Sequence, residues 1–158
     1  MLELNGLDLA PPGQSPKHLR HLLLDFNGTL AVDGKLLPGV ATRLQRLARL
    51  FVIEVLTADT FGSAAETLAE LPVKLTLVGS GREKLRRVHR LGAAGVVAIG
   101  NGRNDAEMLE ASGLSIAVIG AEGLAREAAN HAQILAGSVQ DALDLLLRPR
   151  RLLALLRD

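Results

Sequence analysis

Short apolar runs alternate along the chain with stretches in which apolar positions recur every three or four residues. His21-Leu22-Leu23-Leu24-Asp25-Phe26 reads as a buried strand ending in polar residues. Pro38 opens an amphipathic helix with Val40, Leu44, Leu47 and Phe51 on one face and Arg43, Arg46 and Arg49 off it. Val52 to Leu56 is the next strand, and Ala64, Ala65, Leu68 and Leu71 mark a helix that Pro72 stops. Val73 to Val78 gives a third strand, followed by a helix carrying Leu85, Val88 and Leu91 and ending near Gly92. Gly95 to Ile99 is a fourth strand, with a helix from about Asn104 to Ala111 behind it. Ser115 to Ile119 and Ala132 to Leu135 are two more strands, with Gly123 to Ala129 a short helix between them. Gly137-Ser138 begins a helix containing Val139, Leu143, Leu146 and Leu147. Pro149 breaks the chain before Leu152 to Leu156, a segment expected to pack on the body rather than on a second subunit.

This rhythm predicts an α/β fold, a Rossmann-like three-layer sandwich with a mostly parallel sheet covered by helices on both faces. Residues 1–158 are expected to form a single domain, with its core at about 20–148 and a helical tail at 149–158. In such sheets ligands bind beyond the carboxyl ends of the strands, near a switch in strand order. That rule singles out the loops starting at Asp25, Thr57, Gly79 and Gly100.

Composition narrows the function classes. The chain has 158 residues, 18 basic against 17 acidic side chains, and no cysteine. Near-neutral charge argues against a nucleic-acid binder that relies on a positive field, and 3 Phe with no Trp or Tyr leave little stacking surface. Absence of cysteine excludes disulfides, thiolate metal sites and a cysteine nucleophile. No apolar run approaches the roughly 20 residues that span a bilayer. The segment Met1 to Ala10 carries Glu3 and Asp8 and does not read as a secretory leader, so a cytoplasmic location is expected.

Each strand-end loop carries a group suited to phosphate. Asp25-Phe26-Asn27-Gly28-Thr29-Leu30 follows the first strand and Thr57 the second. Lys84 lies in the first turn of the third helix, and Gly100-Asn101-Gly102-Arg103-Asn104-Asp105 follows the fourth strand. A lone Asp after a strand is usually a turn former and a lone Lys a solvated charge. Four such groups in order, each at a carboxyl end, are hard to explain as folding punctuation.

On these residues the chain resembles the haloacid dehalogenase-like hydrolase superfamily, from about Leu22 to Leu147. The family's Asp-x-Asp-Gly-Thr-Leu motif is matched with variation at Asp25 to Leu30, its Ser/Thr by Thr57, its Lys by Lys84, and its acidic loop by Gly100 to Asp105. The first and last of these motifs are also similar to those of the P-type ATPase phosphorylation domain, a branch of the same superfamily. The resemblance implies a Mg2+-dependent phosphohydrolase or phosphotransferase in which Asp25 is the nucleophile and forms an aspartyl-phosphate. It further implies Mg2+ held by Asp25, the backbone carbonyl of Asn27, Asn101 and Asp105. Thr57 and Lys84 would bind the phosphoryl group, with backbone amides around Phe26 and Gly28 holding its remaining oxygens.

Two positions depart from the family pattern. Asn27 stands where hydrolytic members usually carry an Asp general acid and base, so turnover is expected to be slow. Asn101 replaces the first Asp of the acidic loop, so Mg2+ binding is expected to be weaker. These losses keep two alternatives open, a catalytically silent phosphate- or metal-binding regulatory protein and a phosphotransfer module with a long-lived aspartyl-phosphate. Neither Thr29 to Thr57 nor Ala58 to Glu83 has room for a cap domain, and Asp33-Gly34-Lys35 predicts a small hairpin over Ala31 to Leu37. Capless relatives often close their sites with a neighbouring subunit or act on large substrates. The expected partners are therefore a phosphorylated substrate and, as one option, a second copy of the chain, with no nucleic acid and no membrane.

Other conspicuous residues read more plainly. Gly79-Ser80-Gly81 shapes the turn that presents Lys84, and His18, His21, His89 and His131 lack metal-ligand spacing. Arg86, Arg87 and Arg90 read as a solvated helix face, Arg148, Arg150 and Arg151 as the end of a helix, and Arg103 as half of a structural salt bridge in preference to a substrate contact.

Overall fold

The structure, a computed structural model, describes residues 4–59 and 62–157. The residues Met1 to Glu3, part of the leader reading, lie outside that range. The chain runs through β1 (Leu7–Leu9), β2 (Lys17–Leu19), β3 (His21–Asp25), β4 (Ala31–Val32), β5 (Lys35–Leu36), α1 (Val40–Leu47), β6 (Val52–Thr57), α2 (Ala64–Leu68) and β7 (Lys74–Leu77). It continues through α3 (Gly81–Leu91), β8 (Val96–Gly100), α4 (Ala106–Ala111), β9 (Leu114–Val118), α5 (Arg126–His131), β10 (Ile134–Ala136), α6 (Val139–Leu147) and α7 (Pro149–Leu156).

The main sheet has six strands in the order β10-β9-β8-β3-β6-β7, and every neighbouring pair is parallel. Strand β3 occupies the switch point, with β6 on one side and β8 on the other. Side chains alternate across the sheet as a period of two requires. Leu22, Leu24, Ile53, Val55, Val97 and Ile99 face Val40, Leu44 and Leu47 of α1 and Val139, Leu143 and Leu146 of α6. Leu23, Leu56, Val96 and Ala98 face the opposite layer, Val88 of α3, Met108 and Leu109 of α4, and Ala128 of α5. Three layers and a parallel sheet are the architecture predicted from the apolar rhythm.

The hairpin β4–β5 also stands where Asp33-Gly34 predicts a turn, pairing Ala31 with Leu36 and Val32 with Lys35. Apart from that hairpin, the spans between Thr29 and Lys84 hold only α1, β6, α2 and β7 among the described residues, so no cap covers the sheet.

Several boundaries differ from the sequence reading. The core is wider than 20–148: Leu7, Leu9 and Leu19 of the antiparallel β1–β2 pair, and Leu152 of α7, are buried in it. Strands of three residues are too short for alternation to register, which is why this pair is not legible in the sequence. The short helix expected at Gly123 to Ala129 runs Arg126–His131 instead, and the strand at Ala132 to Leu135 is Ile134–Ala136. The helix expected from Asn104 begins as a 3-10 turn at Arg103–Asp105, becoming α-helical only at Ala106. Pro149 begins α7 rather than leaving a break, so Arg150 and Arg151 sit in a first turn and only Arg148 ends a helix, capping α6. Arg87 is only partly solvated. Its guanidinium donates at 2.6 and 2.8 Å to the carboxylate of Glu54, which is buried on the α3 face of the sheet.

Candidate active site

Asp25 is the last residue of β3, the central strand, and only 7% of its surface is exposed. Thr57 ends β6 beside it, and Asn101 follows β8 on the other side. Lys84 arrives from α3. That helix starts with Ser80 as its N-cap, whose hydroxyl oxygen accepts from the Glu83 amide, while the Glu83 carboxylate accepts from the Gly79 amide at 2.9 Å. This double cap fixes the first turn and with it the direction in which Lys84 points.

The four sequence motifs meet. Lys84 Nζ, 2% exposed, donates to Asp25 Oδ1 at 2.9 Å and to Asp105 Oδ1 at 2.7 Å. Asp105 is fully buried, and its other oxygen accepts from the amides of Asn101 and Gly102, both at 3.0 Å. Both Asp105 oxygens are therefore engaged in holding Lys84 and shaping the loop. Thr29 Oγ1 lies 3.2 Å from both Asp25 Oδ2 and Asn101 Oδ1, joining the first and last loops. Thr57 Oγ1 accepts from the Asp59 amide at 3.0 Å, which leaves its O–H to donate elsewhere. A cavity of about 270 Å³ opens onto Asp25, Asn27, Thr57, Lys84, Asn101 and Glu122.

Electrostatics follow from this packing. Burial, reinforced by the nearby Asp105 carboxylate and opposed by Lys84, pushes the Asp25 carboxyl up to about 7. Burial pulls the Lys84 ammonium down, but the Asp25 and Asp105 carboxylates outweigh it and raise its pKa, so it stays charged. Lys84 is thus a fixed positive charge shared between two acids.

Two expected contacts take a different form. The Gly28 amide donates to the Ala31 carbonyl at 2.7 Å, so it is occupied within its own loop rather than turned to a phosphoryl oxygen. Phe26 has a buried side chain, and its carbonyl accepts from the amides of Thr29, Leu30 and Ala31, so it builds the loop. Gly28 matters for another reason. At φ 81° it comes so close to the loop after β8 that a Cβ would lie 2.7 Å from Asn101 Nδ2 and 2.9 Å from Glu122 Oε2.

The donor set fits a hard divalent cation. Asp25, Asn27 and Asn101 bring oxygens to one cavity, and Asn27 Oδ1 is buried with no hydrogen-bond partner. Among the described residues no three His, Cys, Asp or Glu side chains form a ready-made metal cluster, so amide and main-chain oxygens would carry much of the coordination. The sequence reading missed Thr29 as a bridge and Glu122 altogether. Thr29 lies within the first motif, but its tie to Asn101 spans 72 residues. Glu122 belongs to no motif; its position on the loop after β9, one more strand's carboxyl end, was the available signal.

Comparison with known proteins bears on the same residues. A family model described as haloacid dehalogenase-like hydrolase matches residues 59–142, which include Lys84, Asn101 and Asp105. The chain is 47% identical over 53 residues to a phosphoglycolate phosphatase of Methanosarcina acetivorans, a match covering 34% of this chain and only 24% of that protein. Among solved structures, the cobalt-bound deoxy-D-mannose-octulosonate 8-phosphate phosphatase of Haemophilus influenzae superimposes with a TM-score of 0.68 at 17% identity, over 84% of this chain and 90% of that one. A zinc-transporting PIB-type ATPase superimposes with a TM-score of 0.62 at 24% identity, over 75% of this chain and 20% of the ATPase.

Proposed function

The chain belongs to the haloacid dehalogenase-like hydrolase family, and we propose that it is a Mg2+-dependent phosphohydrolase or phosphotransferase working through an aspartyl-phosphate on Asp25. The observation that carries this reading is the pairing of Asp25 with Lys84 at the floor of the cavity, with Thr57 on one side and Asn101 on the other. Asp25, the Asn27 carbonyl and Asn101 would hold Mg2+, with Asp105 behind them anchoring Lys84. When bound, Mg2+ offsets the negative charge of the phosphoryl group and of Asp25.

An Asp25 carboxylate oxygen attacks phosphorus, and the bond to the leaving oxygen breaks. Thr57 donates a hydrogen bond to the phosphoryl group, while Lys84 favours the ionised form of Asp25 against burial and balances developing charge. Water then attacks phosphorus, releasing phosphate and regenerating Asp25. Asn27 carries no transferable proton, so the leaving oxygen draws its proton from solvent. General acid–base help is worth about 10²–10⁴-fold, and its loss favours reactive leaving groups or a persistent aspartyl-phosphate. The cavity is uncapped, which suits a large phosphorylated substrate or a site closed by a second copy of the chain.

Hydrolysis of acetyl phosphate and p-nitrophenyl phosphate with Mg2+ tests the proposal. Asp25→Asn is expected to abolish turnover, and Asn27→Asp to raise it by about 10-fold or more on alkyl phosphates. Equal rates for wild type and Asp25→Asn would remove the enzyme reading and leave a silent phosphate- or metal-binding protein.

A further inference from the structure

The charges around the cavity do not balance. Asp25, Asp105 and Glu122 bring three carboxylates, and Lys84 is the ammonium set among them. Once Asp25 is ionised, two surplus negative charges in a site for a phosphoryl dianion would repel the substrate, whereas they match one divalent cation. Asp105 lies fully buried with both oxygens engaged, so it cannot turn outward to a cation without releasing Lys84 and the loop amides. Asn101 sits at the cation side of the cavity but contributes only an amide dipole.

Glu122 lies where the missing charge would act. Its Oε2 and both polar atoms of the Asn101 amide converge to within 3.0 Å of one point above the Gly28 Cα. The loop bearing it is tied to the loop after β8 by Asn101 Nδ2, which donates to the Gly123 carbonyl at 3.2 Å, and by the Ala125 amide, which donates to the Asn101 carbonyl at 2.9 Å. The backbone bearing Glu122 is therefore held at the shoulder of Asn101, and its exposed side chain lines the cavity.

We propose that Glu122 supplies the negative charge on the Asn101 side of the divalent-cation site, so that an acid from the loop after β9 compensates for the amide at position 101. The inference rests on the functional reading above, but its test does not depend on turnover. Mg2+ and Mn2+ binding to the full chain is measured by calorimetry for wild type, Glu122→Gln, Asn101→Asp and the double variant. Glu122→Gln, an isosteric change at an exposed position, is expected to weaken cation binding by about 10-fold or more. In the Asn101→Asp background the same change is expected to cost less than about 3-fold, because the charge is then already supplied.

Unchanged affinity in Glu122→Gln would overturn the inference while leaving Asp25 chemistry intact. A loss of equal size in both backgrounds would also overturn it, since Glu122 would then not substitute for the charge at 101. If the wild type itself bound neither cation, the cation reading of the whole site would fall along with it.

Discussion

At the scale of single residues the chemistry depends on how much charge a buried strand end can hold. Asp25 is held near 7 by burial and by Asp105, against 3.8 for an ordinary aspartate. Its folded pKa lies above its unfolded one, so between about pH 4 and 7 the native state binds a proton that the unfolded chain has released. Stability from this group is fully present below pH 4 and is lost as pH rises to 7. Without divalent cation, Asp25→Asn removes that cost. Its melting temperature should match wild type near pH 4 and exceed it by a few degrees at pH 7.5, as thermal scans across this range would show. A constant offset at all pH values would mean that Asp25 titrates normally in the fold. Asp25, Thr57 and Lys84 were legible in the sequence because each closes or opens an element with an unmistakable apolar pattern. Thr29 as a bridge was not, because its role depends on Asn101, brought beside it only by the pairing of β3 with β8.

Elements carry the next layer of meaning, and here periodicity proved a partial guide. The α3 face bearing Arg86, Arg87 and Arg90 looks uniformly polar in sequence, yet Arg87 reaches Glu54, an acid inside a strand that is otherwise apolar up to its last residue, Thr57. A single charge in the run Val52 to Thr57 could equally have faced solvent on an edge, so sequence alone did not pair it with anything. Lys74 approaches the same carboxylate at 3.8 Å but is mostly exposed. Arg87→Leu leaves Glu54 buried with only that partner, and is expected to cost about 3 kcal/mol. Glu54→Leu with Arg87→Leu should recover most of the loss, since the apolar pair avoids desolvating two charges. Urea denaturation of the single and double variants measures both, and an additive double variant would deny the coupling. Because α3 also carries Lys84, the single variant should lower the proposed phosphate-ester hydrolysis along with stability, whereas the double should retain it.

Over the whole molecule, the parallel topology decides where the helix ends and their charges fall. All main-sheet strands are parallel, so α1, α3 and α6 return against them and end at the pole away from the cavity. Arg46, Arg90 and Arg148 lie at those helix ends, where cations complement the helix dipoles. Composition could not reveal this, because it counts charges without placing them. The same returning topology explains why the final segment belongs to the body. Helix α7 packs on α6 and buries Leu152 fully in the core cluster that α1 and α6 also line, while Leu155 remains 55% exposed. Leu152→Ala removes a side chain that has no solvent-facing alternative, and should destabilise the chain by about 2–4 kcal/mol. Leu155→Ala should change stability by less than about 0.5 kcal/mol. Denaturant titration at two protein concentrations decides between packing and assembly. A concentration-independent loss confined to Leu152→Ala assigns α7 to the core, whereas a concentration-dependent loss in Leu155→Ala would make its outer face a contact between copies.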